Sequence, residues 1–556
     1  MTQFAASVLQ LQPNAADYGI LIIYFLVVLG IGFAARRSIS GSLDFFLSGR
    51  SLPAWVTGLA FISANLGALE LLGMAANGAQ YGLPTLHYYW IGAIPAMVFL
   101  GIVMMPFYYG AKVRSVPEYL RLRFNKPTHL FNACSFAVAT VLIAGVNLFA
   151  LALVMQAILG WTIAVSIVVA AFIVLAYTFL GGLTAAVYNE VLQFFVIVAA
   201  LVPLTVVALV KVGGWNELKV KVTESDLGSQ ALNAWQGTAV GDATGAFGNW
   251  IAIVFGLGFV LSFGYWTTNF AEVQRALSAR DMNSARLTPI IGAYPKLLIP
   301  FVIIVPGLIG SQIVAGLGGE GDLQYNNTIP WLMQELLPNG VLGIAMTGLL
   351  AAFMAGMAAN VSAFNTVVTY DIWEPYIRPG RPDGYYLRTG RIVTAIGVLI
   401  AIGTAFIASG YQNIMDYIQL LFSFFNAPLF ATFIIALFWK RATPWAGLAG
   451  LVAGTLGAAV AHYGNDWGVF NLGTPQAAAF WGASVAFIAD AVVTVLVSLV
   501  TQPKTDEQLK GLTWALTPKR VRNPKREASQ GGWYRSPIFL GGGVLTLTVL
   551  FNFVFG

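Results

Sequence analysis

The 556 residues are 58% hydrophobic and only 9% charged, with a mean hydropathy of +0.75, which excludes an ordinary soluble globular protein and leaves a polytopic membrane protein. Lys and Arg outnumber Asp and Glu by 29 to 23, but the basic residues fall in short loops between apolar runs, so membrane topology accounts for them without a nucleic-acid partner. One cysteine, Cys134, and three scattered histidines, His87, His129 and His462, exclude a disulfide framework and a Cys/His metal set.

A membrane span needs about 20 mostly apolar residues. Fourteen such windows follow one another, at 17–35, 54–78, 85–109, 130–158, 162–180, 188–212, 247–269, 288–314, 340–370, 389–409, 414–438, 445–463, 475–500 and 537–555. The first closes on Ala34-Ala35-Arg36-Arg37, a stop-transfer flank without a preceding basic region, so no cleavable signal peptide is expected. Twenty-five of the 29 Lys and Arg lie in loops that join an odd span to the next even one, from Arg36, Arg37 and Arg50 through to Lys519, Arg520, Arg522, Lys525, Arg526 and Arg535. Lys211, Lys219 and Lys221 lie on the other face, and Lys296 lies within a span. Basic short loops stay in the cytoplasm, so both termini are expected outside a cytoplasmic membrane. The longest loops, 213–246 and 501–536, are too short and polar to bury a core of their own. The chain therefore reads as a single membrane domain, 1–556.

Polar residues inside the spans mark candidate functional positions, because an unpaired polar group in hydrocarbon is costly. The second span carries Ser63-Ala64-Asn65-Leu66-Gly67-Ala68-Leu69-Glu70, three helix-disturbing features at one depth, the pattern of a broken helix lining a cavity. Lys296 lies in the eighth span, Glu190 at the cytoplasmic start of the sixth and Asp416 near the outer end of the eleventh. The seventh span, a second interrupted one, offers Ser262, Tyr265 and Asn269 around a Tyr-Trp pair, and the third opens on His87-Tyr88-Tyr89-Trp90. Gln419 in the eleventh needs a partner for its amide, a solute hydroxyl being one candidate. The small-residue run Ala351 to Ser362 of the ninth span suits close helix packing. No nucleophile elbow, zinc-protease motif, phosphate loop or paired carboxylates on one helix points to an enzyme.

The run Asp44-Phe45-Phe46-Leu47-Ser48-Gly49-Arg50-Ser51-Leu52-Pro53-Ala54-Trp55, then Ser63-Ala64-Asn65, Ser115-Val116-Pro117-Glu118-Tyr119 and Arg123-Phe124, resembles the sodium:solute symporter family, its sodium/sugar cotransporters in particular. Gly181-Gly182-Leu183-Thr184-Ala185, Gln274-Arg275, Pro306-Gly307, Tyr370-Asp371-Ile372 and Leu437-Phe438-Trp439-Lys440 continue the match. The resemblance implies an all-α fold of about fourteen transmembrane helices with a leucine-transporter-type inverted repeat. Residues 17–35 would be a preceding helix, 54–212 the first repeat (spans 2–6), 247–438 the second (spans 7–11), and 445–555 the peripheral helices. It also implies sodium-driven import of a small polar solute across a lipid bilayer, sugar preferred, with no cofactor besides the coupling ion.

Carried over by position, Asn65, Lys296 and Gln419 stand where the family holds sugar hydroxyls, and Tyr265 stands at its inner gate. Glu70 replaces a glutamine or histidine, Tyr89 a sugar-binding glutamate and Ser262 an asparagine, which leaves an amino compound open beside a sugar. The family's sodium ligands fall on the carbonyls of Ser63, Leu66 and Ala352 and on two hydroxyl positions that are Ala355 and Gly356 here. Three readings remain: a sodium site completed by water or the Ser63 hydroxyl, a proton on Glu70 or Glu190 as coupling ion, or uncoupled transport. A solute sensor is the other function class, and the loops and tails hold no signalling module for it.

Overall fold

Apolar chain in hydrocarbon satisfies its backbone as helix, and helix is what the described residues form, with isolated bridges between Leu52 and Ala279 and between Leu317 and Leu323 but no strand. The computed structural model describes residues 12–35, 41–235, 237–239, 247–318, 323–411, 413–518, 532 and 536–556. The loop charges Arg36, Arg37, Lys519, Arg520, Arg522, Lys525, Arg526 and Arg535 lie outside the described residues.

In chain order the organising helices are α1 (Ala15–Ala35), the bent pair α2 (Ala54–Asn65) and α3 (Leu69–Tyr81), α4 (Leu83–Tyr108), the short α5 (Val116–Arg123), α6 (Lys126–Leu159), α7 (Ile163–Ala176) and α8 (Gly182–Val212). They continue as the bent pair α9 (Ala252–Thr268) and α10 (Phe270–Leu277), then α11 (Met282–Ile313), α12 (Val341–Ile377), α13 (Asp383–Ala408), α14 (Ile414–Phe438), α15 (Pro444–Asp466), α16 (Pro475–Val500) and α17 (Pro537–Val554). Among the described residues eleven helices are singly long and apolar enough to cross a membrane, and the two bent pairs raise that to 13.

The two spans expected to be interrupted are the two that bend, by 55° at α2/α3 and 50° at α9/α10. α2 stops because Leu66 N–H closes back onto Ile62 O and Ser63 O at 3.1 and 3.0 Å, and the chain resumes beyond Gly67 in a π-turn over Leu69–Gly73. α10 restarts because Asn269, in extended geometry, accepts the Ala271 N–H at 2.9 Å. Between α7 and α8 the break falls on Gly182, whose φ of +53° an L side chain rarely adopts and whose missing Cβ would lie 2.6 Å from Phe45 O.

α12 is the innermost element, with 89% of its apolar window buried. Its run from Leu349 to Asn360 is buried throughout, packed on α6 and on the 163–212 stretch, as small residues in lipid allow. α11 lies equally close to α2 and α3: a Cβ on Gly307 would come within 3.0 Å of Ala75 C. By contrast α1, α8, α13 and α15 to α17 bury between 22% and 39% of their windows, so they form the margin of the bundle.

Two arginines that the loop count treats as topology signals are buried structural groups. Arg123, 0% exposed, donates to Ala436 O (2.8 Å), Trp439 O (3.0 Å) and Ala442 O (3.0 Å) and so closes the carbonyl end of α14. Arg275, also 0% exposed, pairs with Glu190. The sequence inventory of intramembrane charge also needs correction: Glu272, Asp371 and Asp490 are buried within helices too. Asp371 meets His129 Nε2 at 2.8 Å, and Asp490 accepts from Thr432 (2.7 Å) and Thr494 (3.1 Å). Asp371 and Asp490 give no local signal for His129 and Thr432, which lie 242 and 58 residues away in the chain.

Arg123→Met strands three carbonyls and should destabilise the detergent-solubilised protein by roughly 3 kcal/mol, read as a lower melting temperature. Arg121→Met, on the exposed face of α5, should leave that temperature unchanged.

Candidate functional site

The break between α2 and α3 sets the geometry of the centre. It presents Asn65 from the last turn of one half and Glu70 from the first turn of the other, both buried. α4 brings Tyr89, α9 brings Ser262 and Tyr265, and α14 brings Gln419, so that six residues singled out by sequence line one cavity. The space between its lining atoms, counted together with the solvent it opens to, is about 400 Å³. Tyr88, Trp266, Met415 and Phe422 also line it; sequence carried no signal for the last two, which look like ordinary core residues.

Lys296 comes in from α11 to two of the lining residues, Asn65 and Glu70, and does not itself line the cavity. It does not extend to the membrane interface: its side chain is 1% exposed and pairs with Glu70, whose side chain is 4% exposed. The ammonium donates to Glu70 Oε1 and to Asn65 Oδ1, and it sits 4.9 Å from the Tyr89 ring centroid and 5.1 Å from that of Trp266. Tyr89 OH donates to Glu70 Oε2. Burying two charges costs several kcal/mol per ion, which a bare pair does not recover; here hydrogen bonds and two ring faces add to the Coulomb attraction. The carboxylate that stands on span two rather than span three is therefore held by the residue standing in the other position.

The polar line continues downward. Asn65 Nδ2 donates to Tyr265 OH at 2.9 Å, and Tyr265 OH donates to Glu272 Oε1 at 2.7 Å. Tyr265 also packs against Phe422 at 4.8 Å between centroids. Glu190, one of the coupling candidates, is held by both Arg275 nitrogens, Nη2 on Oε1 and Nε on Oε2, the latter at 3.2 Å. Three buried oxygens in and beside this line have no partner among the described residues: Gln419 Oε1, Glu272 Oε2 and Ser63 Oγ. Gln419 Nε2 has only the Met415 sulfur, at 3.8 Å.

The positions implied for sodium, Ser63, Leu66, Ala352, Ala355 and Gly356, are all buried, and the α2 break meets α12 at the last of them, where a Cβ on Gly67 would lie 3.3 Å from Gly356 Cα. α12 offers no hydroxyl at 355 or 356. A residue that sequence reading passed over, Asn147 of α6, lies against both glycines and accepts the Ala68 N–H at 2.9 Å. Its signal was an amide in the middle of an apolar span, unremarked because single amides there commonly bond their own helix.

The model of the sodium:solute symporter family matches residues 45–454. The chain is 29% identical to sodium/glucose cotransporter 1 of Oryctolagus cuniculus over 92% of its own length and 82% of the relative's. To a sodium/glucose cotransporter of Vibrio parahaemolyticus it is 28% identical, covering 79% and 83%. Among solved structures it superposes on a substrate-bound, outward-open Na+-coupled sialic acid symporter with a TM-score of 0.75 at 17% identity, covering 88% of this chain and 99% of that one. A nucleobase-cation-symport-1 family transporter aligns at a TM-score of 0.51 and 15% identity over 84% and 97%. These superpositions concern the fold.

Lys296→Met leaves Glu70 buried without its cation and should cost about 3–5 kcal/mol, seen as loss of monodisperse protein on size exclusion. The double variant Glu70→Gln with Lys296→Met removes both charges and should recover most of that loss.

Proposed function

The chain belongs to the sodium:solute symporter family, and from that premise we propose that it is a secondary active symporter that imports a small polar organic solute, sugar preferred, down a sodium gradient by alternating access. The reading takes the architecture as fourteen transmembrane helices in a cytoplasmic membrane, both termini outside. Its two inverted halves are 54–212 and 247–438, with 17–35 before them and 445–555 around them. The two breaks, one opening each half, support that division.

One observation carries the solute assignment. Gln419 Oε1 is buried at the cavity wall with no partner, and an unpaired amide oxygen of that kind costs about 1–3 kcal/mol until a donor arrives. A solute hydroxyl or amine would supply it. Asn65, Glu70, Tyr89, Ser262 and Tyr265 add further polar contacts over apolar walls, the composition that fixes a small polar ligand. Tyr265 is the floor in this reading. Inward release requires it to leave both Asn65 and Glu272, so solute contact and gate are linked through one amide.

The buried line from Glu70 to Glu190 holds three acidic residues, Glu70, Glu190 and Glu272, against two basic ones, Lys296 and Arg275, an imbalance that favours a coupled cation. The same imbalance supports a proton as the alternative ion. Glu70 and Glu190 have both oxygens engaged, so the carboxylate open to that role is Glu272, with Oε2 unpartnered. Sodium is preferred because the two relatives described above are sodium/glucose cotransporters.

In proteoliposomes, Asn65→Ala and Gln419→Ala should each abolish saturable uptake while eluting as folded protein; undiminished uptake in both would overturn the solute site. With gradients imposed one at a time, an inward sodium gradient at fixed pH should drive accumulation and a pH gradient without sodium should not. The converse result assigns coupling to the proton.

A further inference from the structure

A second cavity lies apart from the solute cavity and shares no lining residue with it. It lies between α1, α6, α7 and α12 and measures about 270 Å³. Its floor is buried: Leu151 of α6 and Leu350 and Met354 of α12 are at most 3% exposed. Its mouth is not, since Ile22 of α1 and Leu159 and Trp161 at the turn from α6 to α7 are exposed. Among the described residues the wall presents no polar surface.

The gap is held open by the way α1 is fastened. Asp17, 0% exposed, accepts the N–H groups of Gly340 and Gly343 at 2.7 Å each, which pins the first turn of α1 to the start of α12. Farther along, Tyr24 OH accepts from Gln193 Nε2 at 3.1 Å and Val28 O from Asn189 Nδ2 at 3.4 Å, which pins the middle of α1 to α8. The cavity residues of α1, Tyr18, Leu21, Ile22 and Phe25, lie between these anchors. Polar anchors in an apolar medium are costly to break, so α1 does not slide inward to fill the space.

An apolar cavity of about 150 Å³ stays dry and takes a benzene-sized guest, so this larger one is no place for water. Left empty, its lining would forfeit the dispersion contacts that close packing supplies elsewhere. The surface around the mouth is continuous with what the bundle shows to the bilayer: Ile22, Ile23 and Leu26 on α1 and Val165, Val168 and Phe172 on α7 are exposed apolar side chains. A polar group brought to the floor would go unpaired, whereas a hydrocarbon chain has none. Tyr18 and Trp161, both exposed, stand close to the starts of α1 and α7, and Tyr and Trp favour the boundary between acyl chains and headgroups.

We infer that this cavity is a binding site for one acyl chain of a bilayer phospholipid, which enters between α1 and α7 and ends against Leu350 and Met354, the headgroup staying outside beside Tyr18 and Trp161. Those two floor residues belong to the buried small-residue run of α12, so the chain braces the innermost helix from the margin of the bundle without touching the solute cavity.

The test is native mass spectrometry of the full-length protein, released from detergent after reconstitution in vesicles of phosphatidylethanolamine and phosphatidylglycerol. It is read beside thermal unfolding of delipidated protein titrated with the same phospholipids. Wild-type protein should retain phospholipid and be stabilised by it saturably. Leu151→Phe and Val169→Phe fill the cavity from α6 and α7. Each should carry about one phospholipid fewer and raise the phospholipid concentration for half-maximal stabilisation about tenfold or more. Val168→Phe, at an exposed position of α7 outside the cavity, should behave as wild type. If Leu151→Phe does not fold, Val169→Phe, at a half-buried position, decides. Equal retention and equal response in wild type and Val169→Phe overturn the site, as does a loss shared equally by Val168→Phe or a wild-type protein that retains no phospholipid. Neither readout uses solute or sodium, so failure here leaves the symport reading standing.

Discussion

The structure depends on an ion pair buried almost completely inside the helix bundle. Lys296 and Glu70 stand at the middle of a helix bundle, and neither would be tolerated there alone, because the desolvation of one unpaired charge exceeds what a single helix contributes to stability. Each neighbour reads as part of the compensation. The α2 break brings Asn65 to the ammonium, α4 brings Tyr89 to the carboxylate, and Tyr89 and Trp266 turn their ring faces to the cation. Helix packing around the pair is tight because glycines and alanines on α2, α3, α11 and α12 let backbones approach.

The same constraint explains why the polar groups form one line rather than scattered pairs. Asn65 is bonded on both sides, to Lys296 and to Tyr265, and Tyr265 hands on to Glu272. A displacement of any one member leaves another unsatisfied in a low-dielectric interior, where the cost is largest. Such a line has few stable arrangements, and an interior with discrete arrangements is what alternating access needs. Its loose ends among the described residues are Gln419 Oε1, Glu272 Oε2 and Ser63 Oγ, which have no hydrogen-bond partner.

Sequence and structure divide this site unevenly. Asn65 and Glu70 announced themselves because polar residues beside a glycine in an apolar span have few innocent explanations. Lys296 was visible but ambiguous, since a lysine near a helix end reaches water as easily as a partner. Asn147 and Glu272 were overlooked. An amide in a long helix usually bonds its own turn, and Glu272 sits two and three residues before Gln274 and Arg275 in what reads as a polar loop. Arg123 and Arg275 were counted as topology signals, although both are fully buried and hold helices and carboxylates in place.

What the sequence determined by itself is everything that follows from one chain segment meeting hydrocarbon: helical spans, their order, the two interruptions and the membrane class, because backbone satisfaction and side-chain transfer are local costs. Family membership was legible for the same reason, in short motifs spread along the chain. Only the tertiary structure decided which polar residues are partners. Glu70 and Lys296 are separated by 226 residues, Glu190 and Arg275 by 85, and Ala68 and Asn147 by 79. No local periodicity encodes such pairings. They are fixed when helices pack, and the charge that looked out of place in one span becomes the partner of a charge in another.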